Sequence, residues 1–407
     1  LKEEHILKFH DKITPEGTRD VLFEECTVRQ RTQDIILKSL CEKGFHPVMT
    51  PTMEFYDLFG ANRYFSQESM YKLIDAQGRI LVLRPDSTIP IARLTATKLQ
   101  NEPHPIRLCY CQTAYRATPS LRGRLDEISQ CGAELVGCGS AKADLEMLLT
   151  AGDCLKECGA KPFTMELGHI GAFKALIDEL SAADWQKEEI RQLIEEKNYT
   201  ALSDLLGELP ASPAARALDQ LPRLFGGADV FGRAATLSQS AAFQAALREL
   251  EQLYRQLIQA DPAAEVLVDL GLVNQAEYYT GIVFRGYLPG IGQPVLSGGR
   301  YDRLLNDFGL QKPAIGFAIH LDAVAGYLQK TQPQQPLSPT ALVYWPRELA
   351  ARGFSFLQQL RSQGVRCENS LADSEEEAKI YARIQKIPKL YIVGEQMEEI
   401  TIGEEPV

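Results

Sequence analysis

The stretch IRLCYCQTAYRATPSLRGRLDEISQCGAELVGC, residues 106–138, decides the fold. It reads as strand, charged loop, strand. Residues 106–116 and 128–138 are rich in β-formers, and the connection carries Arg116, Arg122, Gly123 and Arg124. Two such strands joined in this way build antiparallel sheet. On the second strand Gln130, Gly132 and Glu134 alternate with Cys131, Ala133 and Leu135, so the two sets lie on opposite faces. A glutamine and a carboxylate flanking a glycine make a donor–acceptor face with room for a ligand. A solvent-facing polar strand edge would give the same pattern.

Upstream, DVLFEECTVRQRTQDIILKSLCEK (20–43) carries apolar residues at helical spacing and ends before Gly44. FHPVMTPTMEF (45–55) sets β-formers around Pro47 and Pro51, which places it at an edge, a bulge or an interface. YKLIDAQGRILVLRPDS (71–87) is a hairpin turning at Ala76, Gln77 and Gly78, followed by a helix with Asp86 or Ser87 as cap and Pro90 in its first turn. A carboxylate and a hydroxyl at that junction, Asp86 and Thr88, either cap the helix or hold an ammonium group. The arginines at 116, 122 and 124 suit phosphate or carboxylate, or form a solvated basic loop.

Downstream, residues 143–159 and the long stretch 171–262 are helical, with breaks expected at Pro210, Pro213 and Gly226-Gly227. EVLVDLGL (265–272) and YYTGIVFRGYL (278–288) return to β-character. QPVLSGGRYDRLLNDFG (293–309) reads as a strand, a glycine turn and a helix, and KPAIGFAIHLDAVAGYL (312–328) as a strand into a helix. SGGRYD lacks the lysine of a P-loop and follows no dinucleotide-binding spacing, so its glycines mark close backbone approach at a turn. The Gln- and Pro-rich run 329–340 is a linker by composition, and 341–407 a small α/β module. Residues 1–328 are therefore expected to form an α+β domain, a mostly antiparallel sheet with flanking helices and a helical insertion at about 171–262.

Composition narrows the function classes. The 407 residues are 45% hydrophobic and 24% charged, as in soluble globular proteins, with a formal charge of −11. That balance argues against nucleic acid as the main partner. The start lacks the apolar segment of a signal peptide, and no apolar run approaches twenty residues, so a cytoplasmic location without membrane contact is expected. The nine cysteines show no C-x-x-C pairing and the six histidines no ligand spacing. No structural metal and no cofactor are expected.

Taken in order, TPEGTRD (14–20), LRPDST (83–88), RGRLDEISQCGAELVG (122–137), YYTGIVF (278–284), GGRYD (298–302) and PAIGFAIHLD (313–322) resemble the core of class II histidyl-tRNA synthetases over about residues 1–328. The resemblance makes FHPVMTP the first class II motif, at a dimer interface, and places Asp86, Thr88, Gln130, Glu134, Tyr278 and Tyr279 at histidine-contacting positions. Asp86 stands there in place of a glutamate. The catalytic cations are another matter. Where the synthetase has arginine-glycine before its tyrosine pair, this chain has Asn274 and Gln275, and Ala323 takes the place of the arginine that grips ATP. Thr118 stands where a glutamate is expected and Ser129 where a histidine is; Arg116 alone of the ATP-handling cations remains. Losing one preorganised charge costs ~3–4 kcal/mol of transition-state stabilisation, so the pattern implies no useful adenylation and no catalytic residues.

A kept histidine-like pocket without those cations is similar to the regulatory subunits of ATP phosphoribosyltransferase, synthetase-like partners of a short catalytic subunit in the first step of histidine biosynthesis. The resemblance implies a hetero-octamer, a class II-like dimer within it, and histidine as effector, with Arg116 completing the pocket. The alternative is a divergent histidyl-tRNA synthetase or another amino-acid adenylating enzyme. Residues 331–407 weigh against tRNA, since eight Lys and Arg face eleven Asp and Glu there, a net charge of −3.

Overall fold

The computed structural model describes residues 12–60, 64–117, 125–273, 278–333 and 338–403. Strands β1 (His46–Pro47), β2 (Met53–Phe55), β3 (Lys72–Ile74) and β4 (Ile80–Leu83) precede the long hairpin of β5 (Ile106–Tyr115) and β6 (Glu127–Val136). After it come β7 (Thr164–His169), β8 (Phe225–Gly226), β9 (Glu265–Asp269), β10 (Ile282–Tyr287), β11 (Leu296–Arg300) and β12 (Ala314–His320). One nine-stranded sheet runs in the order β1-β5-β6-β12-β11-β10-β7-β9-β8. Its β1/β5 and β7/β9 pairs are parallel and the rest antiparallel. The α+β class read from the sequence is the class observed.

β6 lies between β5 and β12, and every residue from Ser129 to Val136 is buried. The edge reading of Gln130 and Glu134 is thereby excluded. Helix Phe23–Glu42 buries Val28, Thr32, Ile36, Ser39 and Leu40, a stripe at three- and four-residue spacing, and packs under β5 and β6 with helices Ala141–Glu157 and Leu321–Thr331. It stops at Gly44, whose φ of +83° suits a residue without Cβ. Ile36 and Leu40 are fully buried, each stabilising the fold by roughly 1.5–3 kcal/mol relative to exposure. Arg29 on this helix donates to Asp322 (2.7 Å) and Ser129 (2.5 Å), so Ser129, which stands where the resemblance expects a histidine, helps to pin helices to the sheet.

The expected hairpin at 71–87 forms as β3 and β4, with Asp75 Oδ1 accepting from Gln77 N and Arg79 N across its turn. With β2 these strands make a separate three-stranded sheet. The GGRYD segment differs from its sequence reading. Gly298 and Gly299 lie inside β11, and the helix expected after them is a short 3-10 turn, Leu304–Phe308. Close approach is the reason for the glycines, but in a strand. A Cβ at Gly299 would stand 2.6 Å from the Tyr279 ring.

The long helical stretch is six helices, Ile170–Glu179, Asp184–Glu195, Tyr199–Glu208, Pro213–Gln220, Asp229–Ala234 and Ala241–Ala260. Breaks occur around Pro210, Pro213 and Gly226 as expected, and three more, at 180–183, 196–198 and 235–240, carry no proline or glycine. At the second, Lys197 takes φ +56°, a conformation its residue type does not announce. Phe225–Gly226, read as helix break, pairs with β9 as a strand.

The chain divides into two units, Leu1–Gln332 and Pro333–Val407. In the second, β13 (Ala341–Tyr344), β14 (Cys367–Asn369), β15 (Lys389–Val393) and β16 (Met397–Thr401) form a sheet in the order β14-β13-β15-β16. Leu342, Leu390 and Ile392 pack on Ala378 and Ala382 of helix Glu375–Ile384, while Ala341, Val343 and Val393 pack on Leu357 and Leu360 of helix Ala350–Ser362. Apolar residues on both sheet faces follow from helices on both sides. Among the described residues, no helix is long and apolar enough to cross a membrane.

Candidate functional site

Strand register builds a cavity of about 560 Å³ on the sheet face opposite helix Phe23–Glu42. Glu134 on β6 is paired with Gly316 on β12, which is paired with Gly299 on β11. One step along, Gly132, Ala318 and Ser297 form a second row, and Gln130 with His320 begins a third. Small residues in the middle make the depth. A Cβ at Gly316 would collide with Glu134 Oε2 at 1.6 Å, and one at Gly132 would sit 2.5 Å from the Tyr110 hydroxyl.

Two carboxylates dominate the chemistry. Glu134, 1% exposed, accepts from Thr88 Oγ1 at 2.9 Å and from the Tyr301 hydroxyl. Burial pushes its carboxyl up to about 8 despite those two donors, and the Asp86 charge adds to the rise. Asp86 is itself raised by burial, against the pull of Arg116, whose Nη2 lies 4.0 Å from Asp86 Oδ2. Asp86 Oδ1 also accepts from Ile89 N at 2.9 Å. The capping and ligand-facing readings of Asp86 therefore coexist, one per oxygen. Gln130 Oε1 is buried without a protein partner among the described residues. Such an atom is costly unless a ligand donor reaches it. His320 beside it is held neutral, its imidazole pushed down to about 4 by burial and by the nearby Arg116 charge.

The aromatic wall comes from Tyr278, Tyr279 and Tyr301. Tyr278 and Tyr279 rings stand 4.8 Å apart, and Tyr278 meets Tyr301 edge-on at 5.9 Å. Burial raises all three phenols well above their ordinary range, so each hydroxyl keeps its proton and donates. Arg116 donates from Nε to Pro85 O at 2.8 Å and stacks over Phe65 at 5.4 Å. The site thus combines acceptors on its floor, neutral aromatic donors on its wall and a guanidinium at its β5 end.

Of the residues singled out from sequence, Asp86, Thr88, Arg116, Gln130, Tyr278 and Tyr279 line this one cavity, and Glu134 lies beneath it bonded to Thr88. Asn274, Gln275, Thr118, Arg122 and Arg124 lie outside the described residues. The cavity also contains groups that sequence reasoning did not assign to it. Tyr301 sits within the quoted GGRYD, and His320 follows Gly316 and Ala318 at the period of two that marks one strand face. That alternation was a usable signal. Glu188, Arg191 and Gln192 of helix Asp184–Glu195 also line the cavity, and nothing local in their sequence points there.

The family model for histidyl-tRNA synthetase matches residues 17–324. A relative from Clostridium acetobutylicum, named ATP phosphoribosyltransferase regulatory subunit, is 40% identical over 389 residues, 93% of this chain and 95% of its own. The chain belongs to the ATP phosphoribosyltransferase regulatory subunit family. The relative of the same name from Bacillus mycoides is 37% identical over 79% of this chain and 77% of its own. A crystal structure described as an ATP phosphoribosyltransferase regulatory subunit/histidyl-tRNA synthetase from Bacillus halodurans superimposes with a TM-score of 0.81 at 30% identity, covering 91% of this chain and 96% of that one. Histidyl-tRNA synthetase from Nostoc shares the fold, with a TM-score of 0.77 at 21% identity over 96% of this chain and 97% of that one. In this regulatory subunit, as in the sequence reading, a synthetase-type fold is joined to a regulatory name.

Proposed function

We propose that this regulatory subunit is non-catalytic, binds histidine in the sheet cavity, and thereby controls a separate short catalytic chain of ATP phosphoribosyltransferase. The observation that carries the reading is the pairing of Asp86 and Glu134 with the unpartnered Gln130 Oε1, three buried acceptor groups facing tyrosine hydroxyls and a guanidinium. A zwitterionic amino acid with a nitrogen heterocycle suits it. The ammonium meets Asp86 and Gln130, and the ring meets Glu134 and the tyrosine wall.

Assembly belongs to the same proposal. A class II-like dimer finds support in the outward face of the β2-β4-β3 sheet, where Met53 and Phe55 are about half exposed, and in Met49, 86% exposed at the sheet's approach. Four such chains and four catalytic chains would make the hetero-octamer. Histidine then biases the assembly between states of different activity, which needs a differential affinity of ~1–3 kcal/mol. The acidic charge of residues 331–407 argues against tRNA as a partner.

The test is an activity assay of the short catalytic subunit alone, with this chain, and with this chain plus histidine. Activation that histidine reverses is expected. An unchanged catalytic rate in all three would overturn the regulatory reading, and histidine-dependent exchange of pyrophosphate into ATP by this chain alone would favour the adenylating alternative.

A further inference from the structure

One wall of the cavity belongs neither to the sheet nor to the loops around it. Helix Asp184–Glu195, from the helical stretch between β7 and β9, presents Glu188, Arg191 and Gln192 to the same space as Tyr279 and Ser297. Arg191 is fixed there. Its Nε and Nη2 donate to Glu188 at 2.8 and 2.6 Å, and its Nη1 donates to Glu195 at 2.9 Å. Glu195 in turn faces Arg285 on β10 at 3.9 Å, so the helix is registered over the β10–β11 side of the floor. The four charges of Glu188, Arg191, Glu195 and Arg285 sum to zero, and the cluster leaves the cavity no net negative wall.

A guanidinium has five N–H donors. Among the described residues those three bonds use one N–H on each nitrogen of Arg191 and leave one on each terminal nitrogen, donors that a carboxylate can accept. Arg116, the other arginine lining the cavity among the described residues, stands at the β5 side as the counter-charge of Asp86. A ligand whose ammonium is taken by Asp86 and Gln130 needs its carboxylate held away from those acceptors. We infer that Arg191 holds the carboxylate of the bound amino acid, so that ligand binding ties helix Asp184–Glu195 to the sheet floor. This rests on the histidine reading above and adds to it the residue that selects a free carboxylate. It also makes the inserted helices the part of the chain that senses occupancy.

The full chain would be titrated by calorimetry with histidine and with histidinol, which keeps the ring and ammonium but lacks the carboxylate. The unaltered chain is expected to prefer histidine. Arg191→Ala should lower histidine affinity at least about tenfold, the effect of losing a charge-assisted pair, while changing histidinol affinity less than about threefold. Arg191→Lys should restore part of the preference, since a point charge replaces a fork. Trp185 on the same helix and Trp345 are the two tryptophans of the chain. In a Trp345→Phe background, histidine should therefore change Trp185 fluorescence, and histidinol should not.

Retention of the full histidine preference by Arg191→Ala would overturn the assignment, most directly if Arg116→Ala abolished that preference instead. A variant that lost both ligands equally would show a structural role and would also overturn it. Binding of neither ligand by the unaltered chain would remove the histidine reading itself, a result distinct from either of these.

Discussion

Two buried charge clusters lie on the same sheet and have opposite characters. At the end of β11, Arg300 is 7% exposed and donates to Asp144 at 2.8 and 2.6 Å, to Asp302 at 3.0 Å and to Cys138 O at 3.3 Å. Asp302 also accepts from Ala314 N at 3.1 Å. Every charge there has its partner, and the cluster ties helix Ala141–Glu157 to β11 and β12. In the cavity, by contrast, Asp86 and Glu134 share a buried space where the Arg116 guanidinium comes no nearer than 4.0 Å to Asp86, and among the described residues Gln130 Oε1 has no protein partner. A satisfied buried cluster holds architecture together; an under-satisfied one of acceptors leaves its remaining bonds to a ligand.

The largest expected effect breaks the first cluster. Arg300→Met should cost about 3–5 kcal/mol, because Asp144 would be left buried and uncompensated. Urea unfolding would measure it, and a loss below about 1 kcal/mol would erase the distinction between the clusters. Glu134→Gln should behave in the opposite sense. With its carboxyl pushed up to about 8 in the fold against an ordinary 4.5, the folded chain holds a proton that the unfolded chain releases. Stability conferred by this group therefore falls as pH rises from about 4.5 to 8, and the glutamine variant should lack that fall. Thermal unfolding across this pH range would show it.

The same proton sharpens the binding side of the comparison. A cationic ring or ammonium meeting Glu134 favours the carboxylate and expels the proton. Histidine binding near pH 5, where the free ring is already protonated, should then release a proton, detectable as buffer-dependent calorimetric heats, and Glu134→Gln should lose both the release and about tenfold in affinity. The smallest effect is expected from Thr88→Val. It removes one hydrogen bond to Glu134, worth about 1 kcal/mol, and should move proton release to higher pH, because Thr88 lowers the Glu134 pKa. A downward move would mean that Thr88 does not act on Glu134.

Much of the floor was legible because strands advertise their faces. The alternation of Gln130, Gly132 and Glu134 predicted which side chains share a surface, and β6 presents them so. Asp86 and Thr88 were legible as a strand–helix junction. GGRYD was misread at its glycines because glycine is a poor strand former in isolation, whereas here the Tyr279 ring and the Gly316 carbonyl occupy the space where Cβ atoms would be. Glu188, Arg191 and Gln192 were not legible at all. Their local sequence is that of an amphipathic helix, with Ile190 and Ile194 buried, and nothing in that pattern says what its polar side faces.

The sequence by itself determined the strands, the junction helix and the chemical character of one strand face, because these depend on periodicities of two and 3.6 residues within short windows. Only the tertiary structure decided that the face lies in the middle of a sheet, that Glu134 keeps its proton, and that a helix some fifty residues away along the chain closes the cavity. Those outcomes depend on desolvation and on contacts between distant segments, and neither is encoded in any window a local reading can span.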